Sequence, residues 1–158
     1  MSEIKLIFGG DVSPRTGAAA DGLLARGCLW SAELARRVQG ADLVIVNLET
    51  VLGAGKSPRP KIGVHLKTDP RMAEVHARSG IKLVTLANNH IFDFGWEGVT
   101  ETMAHLTRSG VDFMGVGETP ERAADLKVIE IKGKKSDSLF TQSMSSTIFP
   151  SNPRALRF

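Results

Sequence analysis

Ile81-Lys82-Leu83-Val84-Thr85-Leu86-Ala87-Asn88-Asn89-His90 reads as a short apolar strand that stops abruptly in side chains able to bind a cation or move a proton. Asp93 lies three residues further on. Two earlier stretches have the same design. Ile4-Lys5-Leu6-Ile7-Phe8 runs into Gly9-Gly10-Asp11, and Ala41-Asp42-Leu43-Val44-Ile45-Val46 runs into Asn47-Leu48-Glu49. In an open α/β sheet the carboxyl ends of parallel strands form the crevice where ligands bind. Asp11, Glu49, Asn89 and His90 are therefore expected to converge from distant positions on one site.

Helical patterns lie between these strands. Residues 22–39 repeat apolar side chains at spacings near three and four, and Gly40 stops them. Asp69-Pro70 opens a second helix, with Met72, Val75 and His76 as its inner stripe and Gly80 as its end. A third is expected over residues 96–109, closed by Gly110. Residues 111–116 and 127–131 read as two further strands. The order β-α-β-α-β-α-β-β predicts an α/β fold with a mostly parallel sheet and helical crossovers.

Composition narrows the class. The chain has 158 residues, 42% hydrophobic and 23% charged, as expected for one globular domain. Its +3 charge suggests nucleic acid only until it is mapped. Residues 1–132 hold 16 basic and 16 acidic residues, and the excess lies wholly in the last 26. A neutral body is a poor binder of phosphate backbones. The sequence contains no apolar run long enough to span a membrane and no signal-peptide pattern, and Cys28 is alone, so a cytoplasmic location is expected.

Two segments stand apart. Residues 53–63, rich in glycine and proline, follow Glu49 as either a substrate loop or, slightly favoured, a solvated connector. From Gly133 the periodicity ends. Six serines lie between Ser136 and Ser151, so residues 134–158 are expected to be a disordered tail, of unrelated or out-of-frame sequence, behind a domain of residues 1–133.

Hard divalent cations need oxygen ligands, which Asp11, Glu49 and the Asn89 amide supply. A carboxylate can bridge two ions that clamp the oxygens of a phosphoryl displacement. His90 is placed to protonate a leaving oxygen, and Asp93 to orient its ring. Gly9 and Gly10 allow close backbone approach, and Asn47 and Asn88 support the site. Each residue alone also fits a turn or a helix cap. Three strand ends carrying acid, acid and Asn-Asn-His together are harder to explain that way. His76 and His105 read as ordinary helix histidines, and His65 as a weaker candidate for a substrate contact. Gly53-Ala54-Gly55-Lys56-Ser57 lacks the first glycine of a P-loop, and Pro120 breaks the dinucleotide pattern begun at Gly115.

Phe8-Gly9-Gly10-Asp11-Val12, residues 41–49 and above all Leu86-Ala87-Asn88-Asn89-His90-Ile91-Phe92-Asp93-Phe94-Gly95 resemble the CapA (PgsA-type) family of capsule and poly-γ-glutamate synthesis proteins. The resemblance extends over residues 4–133. It implies the N-terminal half of a calcineurin-like metallophosphoesterase sandwich and a metal-dependent hydrolase acting on phosphoester or related bonds. It further implies metal ligation by Asp11, Glu49 and Asn89 and a catalytic His90 supported by Asp93. The cofactor would be a divalent metal such as Mn²⁺, dinuclear in the superfamily but with a ligand set incomplete here. Ser13 stands where the superfamily usually has a histidine ligand. The implied partners are a small or polymeric anionic substrate and capsule-synthesis proteins, and full-length relatives are often membrane-associated. The family's late Gly-His-x-His segment has no counterpart after Gly133, so a truncated chain is expected. The alternative is a non-catalytic remnant or a partner-dependent binding module.

Overall fold

The computed structural model of the chain describes residues 3–53, 57–125 and 127–138. Four parallel strands form the central sheet: β1 (Leu6–Val12), β2 (Leu43–Leu48), β5 (Leu83–Thr85) and β6 (Asp112–Met114), in the spatial order β1-β2-β5-β6. Two residues of β3 (Val51–Leu52) pair in parallel with two of β4 (Lys67–Thr68). The crossovers carry α1 (Ala18–Arg26), α2 (Ala32–Gln39), α3 (Met72–Arg78) and α4 (Gly95–Arg108), and α5 (Pro120–Ala123) follows β6. An antiparallel hairpin, β7 (Lys127–Ile131) with β8 (Lys134–Ser138), ends the described chain. This is an α/β fold with a mostly parallel sheet, consistent with the first half of a metallophosphoesterase-like fold.

Alternation along β2 divides the core. Val44, Val46 and Leu48 face the helices, where they pack with Val38, Met72, Val75, Val84, Val99 and Leu106. Leu43 and Ile45 face the other way and pack with Leu83, Met114 and Ile131 of the hairpin. The hairpin turns through Lys132 and Gly133, both at positive φ, as a tight two-residue connection requires. The Lys132 ammonium fastens it, donating to the Glu3 carbonyl and to Asp42 Oδ2, each at 2.8 Å.

Two expectations change. The single helix expected over residues 22–39 is two. Gly27, in the left-handed region at φ 68°, ends α1, and the Ser31 hydroxyl accepts from the Leu34 amide to start α2. Of the tail expected to lack regular structure, Lys134–Ser138 is a strand, and residues 139–158 lie outside the described residues. Elsewhere the expected strands and helices occur with shifted ends. The strand order follows the sequence without reversal, so the site below sits at strand ends and not at a switch of topology.

Candidate active site at the ends of three strands

The site begins with a bulge. Phe8 is opposite Ile45, but the next pair is Asp11 with Asn47, so β1 takes three steps where β2 takes two. Without the extra residue Asp11 would face Leu48, a buried core position. With it, Asp11 shares a face with Asn47, whose Nδ2 donates to Asp11 Oδ1 at 2.7 Å. A methyl at Gly9 would come within 2.9 Å of Val46 Cγ1, so the steric need for glycine lies there. At Gly10 a methyl would meet nothing.

Asn47 passes the connection to the third strand end. Its Oδ1 accepts from Asn88 Nδ2 at 3.1 Å, and the same Nδ2 donates to the Leu48 carbonyl at 2.9 Å. Asn88 Oδ1 accepts from the amides of His90 and Ile91, each at 3.0 Å. Every polar atom of this buried amide is therefore engaged. Asn88 fixes the turn that carries His90, and an unbroken path of hydrogen bonds links Asp11 to that turn.

His90 Nδ1 lies 2.8 Å from Asp93 Oδ2 and 3.3 Å from the Lys61 ammonium. An ionised carboxylate only accepts and an ammonium only donates. The shorter contact decides: Nδ1 carries the proton and donates to Asp93, and Lys61 is held by Asp93 Oδ1 in an ion pair. Nε2 is left as the ring atom able to exchange a proton. Asp93, 1% exposed, also accepts from the Leu66 amide at 2.7 Å, and its carbonyl accepts from the Arg59 amide at 2.8 Å. Burial pushes the Asp93 carboxyl up. The hydrogen bonds from Lys61, His90 and Leu66 outweigh that and hold it below the usual carboxylate range.

Asp93 thereby ties the glycine- and proline-rich loop to the histidine turn. The loop is not a free connector, although its tip is exposed at Ile62 and Val64. Lys61 is the site residue missed in sequence reasoning. One lysine among glycines and prolines carried no signal, because its partner lies 32 residues away. His65 braces the same loop, with Nε2 2.6 Å from the Arg59 carbonyl and its ring edge-on to Phe94. His76 is fully buried, its Nδ1 2.6 Å from the Met72 carbonyl and its Nε2 without a partner among the described residues. Burial lowers its pKa, against the Met72 hydrogen bond.

Glu49 directly follows β2, its amide donating to the Val12 carbonyl at 3.1 Å, while Asn89 is exposed beside Asn88. Neither side chain makes a hydrogen bond to the described residues, and Asp11 engages only one carboxylate oxygen. Two carboxylates and an amide with free oxygens fit a hard divalent cation in kind. In number they fall short: no group of three His, Cys, Asp or Glu among the described residues is arranged to hold an ion. The Ser13 hydroxyl, two residues past Asp11, is buried without a partner among the described residues.

Comparison with known proteins gives these residues a context. Residues 5–152 match the family described as Bacterial capsule synthesis protein PGA_cap, a match that continues past Gly133. A Mycobacterium tuberculosis (H37Rv) protein named "Probable polyglutamine synthesis accessory protein" is 33% identical over 76 residues, covering 48% of this chain and 20% of the relative. An uncharacterized protein of Sinorhizobium fredii is 29% identical over 113 residues, covering 62% of this chain and 22% of the relative. The chain thus matches about a fifth of the length of these curated relatives. Among the described residues no helix is long and apolar enough to cross a membrane. With the family match spanning nearly its whole length, the chain belongs to the bacterial capsule synthesis protein family PGA_cap.

Proposed function

We propose that the chain carries a metal-assisted hydrolytic site, acting on a phosphoester or related bond in capsule or poly-γ-glutamate synthesis. The observation that supports it best is the continuous hydrogen-bonded path from Asp11 through Asn47 and Asn88 to the turn bearing His90. That path joins Asp11 to the turn that bears the proposed proton-transfer group. Asp11, Glu49 and Asn89 would hold a divalent cation such as Mn²⁺, one ion in place of the superfamily's pair. A hard cation supplies Lewis acidity at a phosphoryl group.

His90 would give its Nε2 proton to the leaving oxygen as the P–O bond breaks, while a water oxygen forms the new bond to phosphorus and its released proton returns through solvent to Nε2. Asp93 keeps Nδ1 protonated and stabilises the imidazolium that precedes transfer, and Lys61 keeps Asp93 ionised. The shortage of protein ligands favours a second reading, a binding module for an anionic ligand without turnover.

Thermal unfolding with and without Mn²⁺, beside hydrolysis of a generic phosphodiester, separates the two. The hydrolase reading expects Mn²⁺ to raise the wild-type midpoint and not that of Glu49→Ala. It also expects His90→Asn to lose about 10²-fold or more in rate while keeping the Mn²⁺ shift. Equal rates in wild type and His90→Asn would remove the acid role. No Mn²⁺ shift and no hydrolysis would leave the binding module.

A further inference from the structure

The break between α1 and α2 does more than turn the chain. It forms one wall of an open cleft of about 500 Å³ whose other end is Asp11. That volume lies within the range of small-molecule sites. The cleft is divided chemically. Asp11, Ser13 and Arg15 line one end, and Leu23, Leu29 and Trp30 the other.

Two of the three residues of the apolar wall, Leu29 and Trp30, are anchored by one residue. Ser79, at the end of α3, accepts from the Leu29 amide through its hydroxyl at 2.8 Å and from the Trp30 indole N–H through its carbonyl at 2.7 Å. Its hydroxyl proton goes to the Val75 carbonyl at 2.6 Å, anchoring the wall to α3. A surface fixed before the ligand arrives costs little order on binding. At the polar end, the exposed Arg15 guanidinium makes no hydrogen bond or ion pair with the described residues, although carboxylates are plentiful in the chain. A planar guanidinium with its donors free is suited to a phosphoryl or phosphonyl group, which it can bind in two-point fashion.

We infer that this cleft is the substrate subsite for organic phosphates with an apolar or aromatic substituent, the phosphoryl group on Arg15 beside Asp11 and the substituent on Leu23, Leu29 and Trp30. This rests on the hydrolytic reading for its orientation toward Asp11, and on the cleft alone for binding. Inorganic phosphate would use Arg15 only. A purely polar phosphate would leave the Trp30 wall unfilled.

The test is calorimetric titration of the full chain, without added divalent cation, using phenylphosphonate and inorganic phosphate as probes. Wild type is expected to bind phenylphosphonate at least tenfold more tightly than phosphate. Arg15→Gln should weaken phenylphosphonate at least tenfold. Ala19→Phe places a ring into the cleft from an exposed position of α1, and should erase the aryl advantage while leaving phosphate unchanged. Equal binding of both probes, binding of neither, or wild-type affinities in both variants would overturn the inference. Hydrolysis of phenyl phosphate with Mn²⁺ is then measured separately. Binding that depends on Arg15 and the aryl group, without turnover, would remove the hydrolytic reading and keep the subsite. Turnover with unaltered binding and KM in both variants would do the reverse.

Discussion

The two halves of the candidate site are built on opposite principles. Around Asp93, itself almost wholly buried, both carboxylate oxygens and the backbone carbonyl are engaged, by His90 Nδ1, the Lys61 ammonium and the Leu66 and Arg59 amides. Around Asp11 the side chains are underused: Asp11 and Asn89 are exposed and Glu49 half-buried, and among the described residues one Asp11 oxygen and the side chains of Glu49 and Asn89 make no hydrogen bond. Buried polar groups left unpaired are costly, whereas exposed ones remain available to a ligand. The difference separates what holds the site together from what awaits a partner. Asn47 and Asn88 join the two.

Breaking the sealed half should cost most. Asp93→Ala strips acceptors from the buried Leu66 amide and from Lys61, and about 3 kcal/mol of unfolding free energy should be lost in urea titration. A loss under 1 kcal/mol would show that the Asp93 cluster is not the rivet described. Asn88→Ala comes next, at about 2 kcal/mol, because the His90 and Ile91 amides lose their acceptor. Wild-type stability in that variant would mean that water replaces the amide and the path from Asp11 has no structural weight.

Acid gives a gentler handle. The folded pKa of His76 lies below the ordinary 6.5, so between the two values the unfolded chain binds a proton that the native one refuses. Stability is therefore full above about pH 6.5 and falls as the pH drops below it. The depressed Asp93 carboxyl contributes stability that is present above its ordinary 3.8 and lost as pH falls through its lower folded value. Midpoints recorded from pH 8 to 3 should show a first decline that His76→Leu reduces, with His105 contributing in the same range, and a later one that Asp93→Asn reduces, with Asp42 and Asp69 contributing beside it. A first decline that survives His76→Leu unchanged would assign it elsewhere. The smallest effect is expected at the open half: Asp11→Asn, assayed without divalent cation, should shift stability by no more than about 0.5 kcal/mol. A larger shift would mean that Asp11 is structural and the contrast false.

Much of this was legible in the chain. Apolar runs ending in acids and amides located β1, β2 and β5, and the same residues bring Asp11, Asn47, Asn88 and His90 onto one hydrogen-bonded path. Most of what escaped notice depends on contacts between distant residues. The extra residue at Gly9-Gly10 shows only against the register of β2. Lys61 acquires meaning only when Asp93 is beside it. The α1–α2 break carried a local signal, Gly27 followed by Ser31, but the continuing run of leucines and alanines concealed it. The two-residue pairing of β3 with β4 is too short for any periodicity to reveal.

The amide of Leu66 has a use of its own. Its proton is held by a side chain and not by a neighbouring strand, and that side chain is the carboxylate that orients His90. Its resonance and its exchange with deuterium should therefore follow the charge on Asp93 and the attachment of the loop. A single backbone signal would then report whether the site is latched, with no substrate and no label attached to the protein.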